Sequence, residues 1–233
     1  EGLPAVEQAI SEGMSINVTL LFSVQSYIET AWAYIRGLEK RAEAGEDISK
    51  VASVASFFLS RIDVMIDEQI DSKLESAEGD AKAKLEAIKG KVAIANAKVA
   101  YQKYKEIFSS DRWKALAAKG AKVQRLLWAS TGTKNPDYSD VMYVDELVGQ
   151  DTVNTLPPDT IDACVDHCDP ASRIESNLDA AHQIIEGLKD DAVNIDLDTV
   201  MDALLEEGID KFIKPFESLM SSLEAKVKHL AAV

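Results

Sequence analysis

Short runs dense in aliphatic and aromatic residues alternate along this chain with longer runs whose apolar residues recur every three or four positions. The first short run, SINVTLLFS at residues 15 to 23, follows the turn signal SEGM and predicts a strand. After it, VQSYIETAWAYIRGLEKRAEAG places Ile28, Trp32, Ile35 and Leu38 at helical spacing and ends at Gly45, which predicts a helix with one buried stripe. A second strand is expected within VASVASFFLSRID, residues 51 to 63, and a long charged helical stretch then leads to Phe108. VQRLLWAST at 123 to 131 and DTVNTLPP at 151 to 158 predict the third and fourth strands, with VMYVDELVG between them and the helical TIDACVDHC after. From Ala171 onward the pattern is helical, with Val200, Leu204, Phe212, Phe216, Leu219, Leu223 and Val227 on one apolar face over two segments divided near Pro215.

Strand and helix alternating over long connections imply parallel strands, right-handed crossovers and an α/β fold, whose ligands bind at the carboxyl ends of the strands. The second strand carries Ser53, Ser56 and Ser60 and closes on Arg61, although an unpartnered hydroxyl inside a buried strand costs free energy. These groups are therefore expected to face solvent or a ligand. Period-two alternation sets Ser56 and Phe58 against Ala55, Phe57 and Leu59, and in the first strand sets Asn17 and Thr19 against Ile16, Val18 and Leu20. A polar inner face over an apolar outer one suits a (β/α)8 barrel better than a doubly wound sheet. Four strands cannot close a barrel, so the remaining strands are expected on another piece of chain. Residues 1–170 then form the second half of the barrel and 171–233 a helical segment packed on it.

Composition narrows the function classes. The 233 residues are 46% hydrophobic, enough for one large domain or two small ones. A net charge of −15, with lysines dispersed through KAKLEAIKGKVAIANAKVAYQKYK as a solvated helix face would have them, argues against nucleic acid. Two cysteines, no apolar run long enough to span a bilayer and no signal-peptide pattern lead to the expectation of a cytoplasmic protein without a membrane partner. The opening EGLPAVEQAISEG, without an initiator Met, reads as a chain with sequence missing ahead of it.

SINVTLLFS, SKVASVASFFLSRIDVMID and RWKALAAKGAKVQRLLWASTGTKNPDYSDVMYVDELVGQDTVNTLPPDTIDA, in that order, closely resemble the transaldolases, in particular the long bacterial and plant-type branch. The resemblance implies strands five to eight of the family barrel. It implies transfer of a dihydroxyacetone unit from sedoheptulose 7-phosphate or fructose 6-phosphate to glyceraldehyde 3-phosphate or erythrose 4-phosphate, in the pentose phosphate pathway, with no cofactor. The family's Schiff-base lysine lies at the end of strand four, upstream of this chain, so this chain alone is expected to be inactive. Its partners would be sugar phosphates, the amino-terminal half of the barrel and, in a homodimer, a second copy.

By the same resemblance Thr19 matches the threonine that holds the catalytic water. Asn17, Ser56, Phe58 and Arg61 match pocket residues, and Ser130 matches a serine of the phosphate site. Where shorter transaldolases have an arginine close behind that serine, this sequence reads TGTKN, which makes Lys134 the cationic candidate. Two other readings stand beside this one: a noncatalytic half-barrel that assembles with a partner, and a different Schiff-base aldolase acting on sugar phosphates.

Other readings of these residues are plainer. Arg61 could pair with Asp63 or a helix acid at the barrel rim. Asn17 and Thr19 could be core polar groups, and the sequon they form is not expected to carry a glycan. Lys134, read alone at a strand end, could be a Schiff-base lysine. Cys164, His167 and Cys168 share a helical face but lack a fourth metal ligand. His182 and His229 are expected at the surface, and Asp63, Asp67 and Asp71 read as a solvated acidic helix face.

Overall fold

A computed structural model describes residues 2–231, apart from the side chains of His229 and Ala231, so the reading of His229 lies outside the described residues. In chain order the elements are α1 (Gly2–Ser11), β1 (Ile16–Leu21), α2 (Val24–Glu43), β2 (Ser53–Phe58), α3 (Ser60–Leu74), α4 (Gly79–Ile88) and α5 (Val92–Ile107). There follow α6 (Asp111–Ala117), β3 (Arg125–Ala129), α7 (Met142–Leu147), β4 (Thr152–Asn154), α8 (Pro158–His167), α9 (Leu178–Gly187) and α10 (Leu197–Ala231). The strands form one sheet in the order β1-β2-β3-β4, every pair parallel. All four strands lie within the expected runs, and α2 is capped by Ser23, whose hydroxyl accepts the amide of Ser26.

The two faces of the sheet differ as the alternation predicts. Ala55, Phe57, Leu126 and Trp128 are fully buried beneath the helices. On the opposite face Asn17 and Thr19 are exposed, and Val54, Phe58 and Leu127 are only half-buried. In β1 the register shifts between Val18 and Leu21, and Leu20 sits at φ 60°, a backbone state that is strained for a branched side chain. The bulge turns Leu21 into the core and leaves Leu20 against Gly208 of α10, where a Cβ would come within 2.9 Å of the leucine.

Several helical expectations need correcting. The charged stretch after β2 is three helices, interrupted near Gly79 and Gly90, both in the left-handed region at φ 56° and 71°. The lysine-rich stretch is not a solvated face throughout. In α5, Val92, Ala93, Ala97, Ala100 and Tyr101 enter the core, and Lys98 is buried and bonded to Glu146 at 2.8 Å. Small alanines let this helix lie close to its neighbours, so its lysines had fewer outward positions than their number suggests.

In α2 Ile35 and Leu38 are buried as the stripe predicts, together with Tyr27, Ala31 and Tyr34, while Ile28 and Trp32 are half-buried, Trp32 beneath the guanidinium of Arg112 at 5.2 Å. Pro215 does not divide α10, which continues through it. The proline removes one helical hydrogen bond, and in a stretch exposed from Ile209 to Lys228 water can satisfy the freed carbonyl. Val200 and Leu204 are buried, but Phe212, Phe216, Leu219, Leu223 and Val227 face outward.

Where α1 crosses α2, the contact depends on Gly37. A Cβ there would lie 2.7 Å from the Glu7 carbonyl oxygen and 2.7 Å from the Ile10 Cβ. Gly37→Ala is expected to push the helices apart and cost about 1–2 kcal/mol, read as a lower denaturant midpoint. An unchanged midpoint would contradict the close approach.

Candidate functional site

β2 ends at Phe58, and the chain turns into α3 within two residues. Beyond the strand ends, Leu59 donates its amide to Ala129 and Ser60 donates its amide to the Ser130 carbonyl, both at 3.0 Å. The Ser60 and Ser130 hydroxyls lie 2.8 Å apart, so the carboxyl ends of β2 and β3 are tied together by backbone and side chain. Ser130 itself sits at φ 57°, an uncommon state for a residue other than glycine and one that gathers at functional sites.

Ser53 is buried and satisfied by protein, which corrects the expectation that it faces solvent or a ligand, whereas Ser56 is buried on the inner face beside Asn17. Ser53 donates to the Ile16 carbonyl at 2.7 Å and accepts from Gln124 at 2.7 Å, joining three strands at their amino ends. Ser56 donates to the Asn17 side-chain oxygen at 2.7 Å. That bond brings together two expected site residues on the inner face, with Thr19 exposed on the same strand.

Arg61 does not pair with Asp63. Its Cζ lies 5.4 Å from the centre of the Phe58 ring, and Phe58 in turn packs on Phe22 at 5.3 Å. The Nη1 of Arg61 is buried with no hydrogen-bond partner. A guanidinium held on an aromatic face with an unpaired donor is suited to an anionic ligand.

The segment after β3 supplies the other cation. Thr131 donates to the Thr155 carbonyl at 2.5 Å, Thr133 to Ser139 at 2.9 Å, and the Asn135 side chain accepts the amide of Asp137 at 2.9 Å. These bonds close a compact loop. It overhangs a cavity of about 230 Å³ lined by Ser60, Asp63, Asp67, Lys134, Tyr138 and Tyr143 among others. Lys134 is exposed, and its Nζ lies 3.8 Å from where a Cβ on Gly132 would stand. The lysine thus reaches back into the space that a side chain at position 132 would enter.

The acidic face of α3 is not solvated as expected: Asp63 and Asp67 are buried. Asp63 accepts from the Ala93 amide and the Tyr143 hydroxyl, each at 2.8 Å. Asp67 accepts from the Gly90 amide at 2.9 Å and the Tyr138 hydroxyl at 2.7 Å. Burial pushes the Asp63 carboxyl up to about 6 against the pull of these donors, and raises Asp67 as well. Asp71 alone is exposed, paired with Lys89. The signal that marked these aspartates was present but ambiguous, because a four-residue spacing serves a solvated and a buried face equally.

Cys164 and Cys168 are half-buried free thiols. Cys168 donates to Asp145 at 2.9 Å, and His167 sits between Asp140 and Asp166 at 2.8 and 3.1 Å. Among the described residues no group of three or more His, Cys, Asp or Glu side chains could hold a metal ion, and no helix is long and apolar enough to cross a membrane.

Parallel strands joined by helical crossovers define an α/β fold, a class in which ligands bind at the carboxyl ends of the strands, where polar groups gather in this chain. Comparison with known proteins specifies the class. Residues 1–223 match the family described as Transaldolase/Fructose-6-phosphate aldolase, and the chain belongs to that family. It is 69% identical to a transaldolase of Trichodesmium erythraeum over all of this chain and 62% of that protein. It is 68% identical to Transaldolase 2 of a Nostoc species, covering 61% of it. With a transaldolase of Saccharopolyspora erythraea, 47% identity spans 97% of this chain and 59% of the relative. The chain thus spans about three-fifths of the length of these relatives.

Proposed function

We propose that this chain supplies strands five to eight of a (β/α)8 barrel that transfers a dihydroxyacetone unit between sugar phosphates through a Schiff base, as the pentose phosphate pathway requires. The observation that carries the reading is the buried, unpartnered Arg61 Nη1, beside the Ser60–Ser130 junction at the strand ends. Arg61 would take the phosphate as a planar charged fork, with Ser130 and Lys134 completing the anion site. The position of the Lys134 Nζ, close to the side-chain space of Gly132, supports its standing in for the arginine that shorter transaldolases carry close behind the serine. Asn17, Ser56 and Phe58 would line the sugar, and Thr19 would hold the water that moves protons at the reacting carbon.

The lysine that makes the iminium, and so accepts the electron pair when the carbon–carbon bond breaks, would come from sequence preceding β1. The open inner face of the sheet supports assembly with such a segment, and the outward apolar face of α10 offers it a second surface. This chain by itself would bind a sugar phosphate without cleaving it.

The test is co-expression with the portion of the Trichodesmium relative that this chain does not match. The complex is expected to release glyceraldehyde 3-phosphate from fructose 6-phosphate in the presence of erythrose 4-phosphate, and Arg61→Ala to lower kcat/KM by about 100-fold, near the loss of one charge-assisted contact. A complex that forms but is inactive, or an Arg61→Ala complex as active as the parent, would count against the reading.

A further inference from the structure

We propose that Asp63 and Asp67 are positioning residues, a clamp on one face of α3 that holds the loop carrying Ser130 and Lys134 against the helix carrying Arg61. The inference rests on the anion-site reading above for its purpose, and on hydrogen-bond geometry for its substance. Ser60, Asp63 and Asp67 follow one another on one helical face, and each meets the stretch that leads from Ser130 into α7. Ser60 meets Ser130, Asp67 meets Tyr138, and Asp63 meets Tyr143 at the start of α7. The second oxygen of each aspartate is anchored from the opposite side, Asp67 by the Gly90 amide and Asp63 by the Ala93 amide. Two stretches distant in sequence, from Ser130 to Tyr143 and from Gly90 to Ala93, are therefore fixed to one helix by five bonds.

A purely packing role would not select these residues. A buried carboxylate is costly to desolvate, and an apolar side chain of similar volume would fill the same space. An apolar residue could not hold Tyr138 by its hydroxyl, which ties the loop that bears Lys134 to α3. Gly90 is shaped for the same contact: at φ 71°, a Cβ there would come within 2.6 Å of the Tyr138 ring. The loop is closed within itself by Thr133 and Asn135. It therefore moves as a unit, and releasing Tyr138 would displace Lys134 with it.

Hydrogen exchange of the amides from 131 to 141 in the full chain, without ligand, tests the clamp, and titration with inorganic phosphate followed by NMR tests its consequence. Tyr138→Phe and Asp67→Ala are expected to speed exchange of the loop about tenfold, the equivalent of about 1.4 kcal/mol, while β3 is unchanged. Both variants should also weaken phosphate binding. Asp67→Asn should restore both properties, since its carbonyl can accept from Gly90 and its amide can donate to the Tyr138 oxygen. Unaltered loop exchange in Tyr138→Phe, or failure of Asp67→Asn to restore what Asp67→Ala loses, would overturn the clamp. An unmodified chain with no affinity for phosphate would instead overturn the anion-site reading, and the ligand-free exchange would still decide the clamp.

Discussion

Trp128→Ala is expected to bring the chain close to unfolding. Trp128 is the largest fully buried side chain, on the inner strand β3, edge-on to Phe57 at 6.1 Å. Its indole N–H donates to the Leu147 carbonyl at 3.0 Å, joining the sheet to α7. Truncation leaves a cavity at the centre of the α/β layer and strips that carbonyl of its donor. The cost should be about 3–5 kcal/mol, against the roughly 5–15 kcal/mol by which domains are usually stable. Urea unfolding followed by circular dichroism would show a much lower midpoint, or no folded baseline. Trp128→Phe keeps the ring but not the N–H and should fall between the two. A Trp128→Ala midpoint equal to that of the parent would mean that this residue is not at the core.

The second large effect concerns pH. Asp63 is pushed up from 3.8 to about 6, first by burial, and the Ala93 and Tyr143 hydrogen bonds offset this only in part. Because the folded value lies above the unfolded one, the folded state binds the proton more tightly. The stability from this group is thus complete below about pH 4 and lost as pH rises through about 6. At pH 7 the ionised carboxylate is the unfavourable form, by up to about 3 kcal/mol. Asp63→Asn removes the ionisation and keeps both neighbours bonded, so it should gain about 1–2 kcal/mol at pH 7 and lose that advantage near pH 4.

Glu7, Asp47, Asp190 and Asp196 are shifted the other way by their partners and weaken the fold as pH falls. They act equally in both proteins, so the difference between parent and variant reports Asp63 together with its repulsion by Asp67. The check is unfolding free energy at several pH values between 4 and 7. A difference that does not vary with pH would refute the assignment to a buried, protonating carboxyl.

The strands were legible because their pattern is local: β-branched and aromatic residues in short runs bounded by turn signals. The bond between Ser56 and Asn17 follows from the same alternation, once β1 and β2 are known to be neighbours. What could not be read were properties set from a distance. The donors that make burial of Asp63 and Asp67 tolerable come from residues 23 to 80 positions away. Likewise Trp32 is only half-buried, beneath Arg112, and nothing near Trp32 announces that contact. Pro215 was read as a break because that is its usual effect, whereas the continuity of α10 depends on its solvent exposure.

The central claim is that this chain positions a sugar phosphate while another segment carries the reacting amine. Borohydride reduction with fructose 6-phosphate tests it directly, applied to the chain co-expressed with the unmatched portion of the Trichodesmium relative and followed by intact mass of each polypeptide. The expected result is a dihydroxyacetone adduct on the co-expressed segment and none on this chain, Lys134 included. An adduct on this chain, or none on either polypeptide in a complex that has formed, would contradict the account.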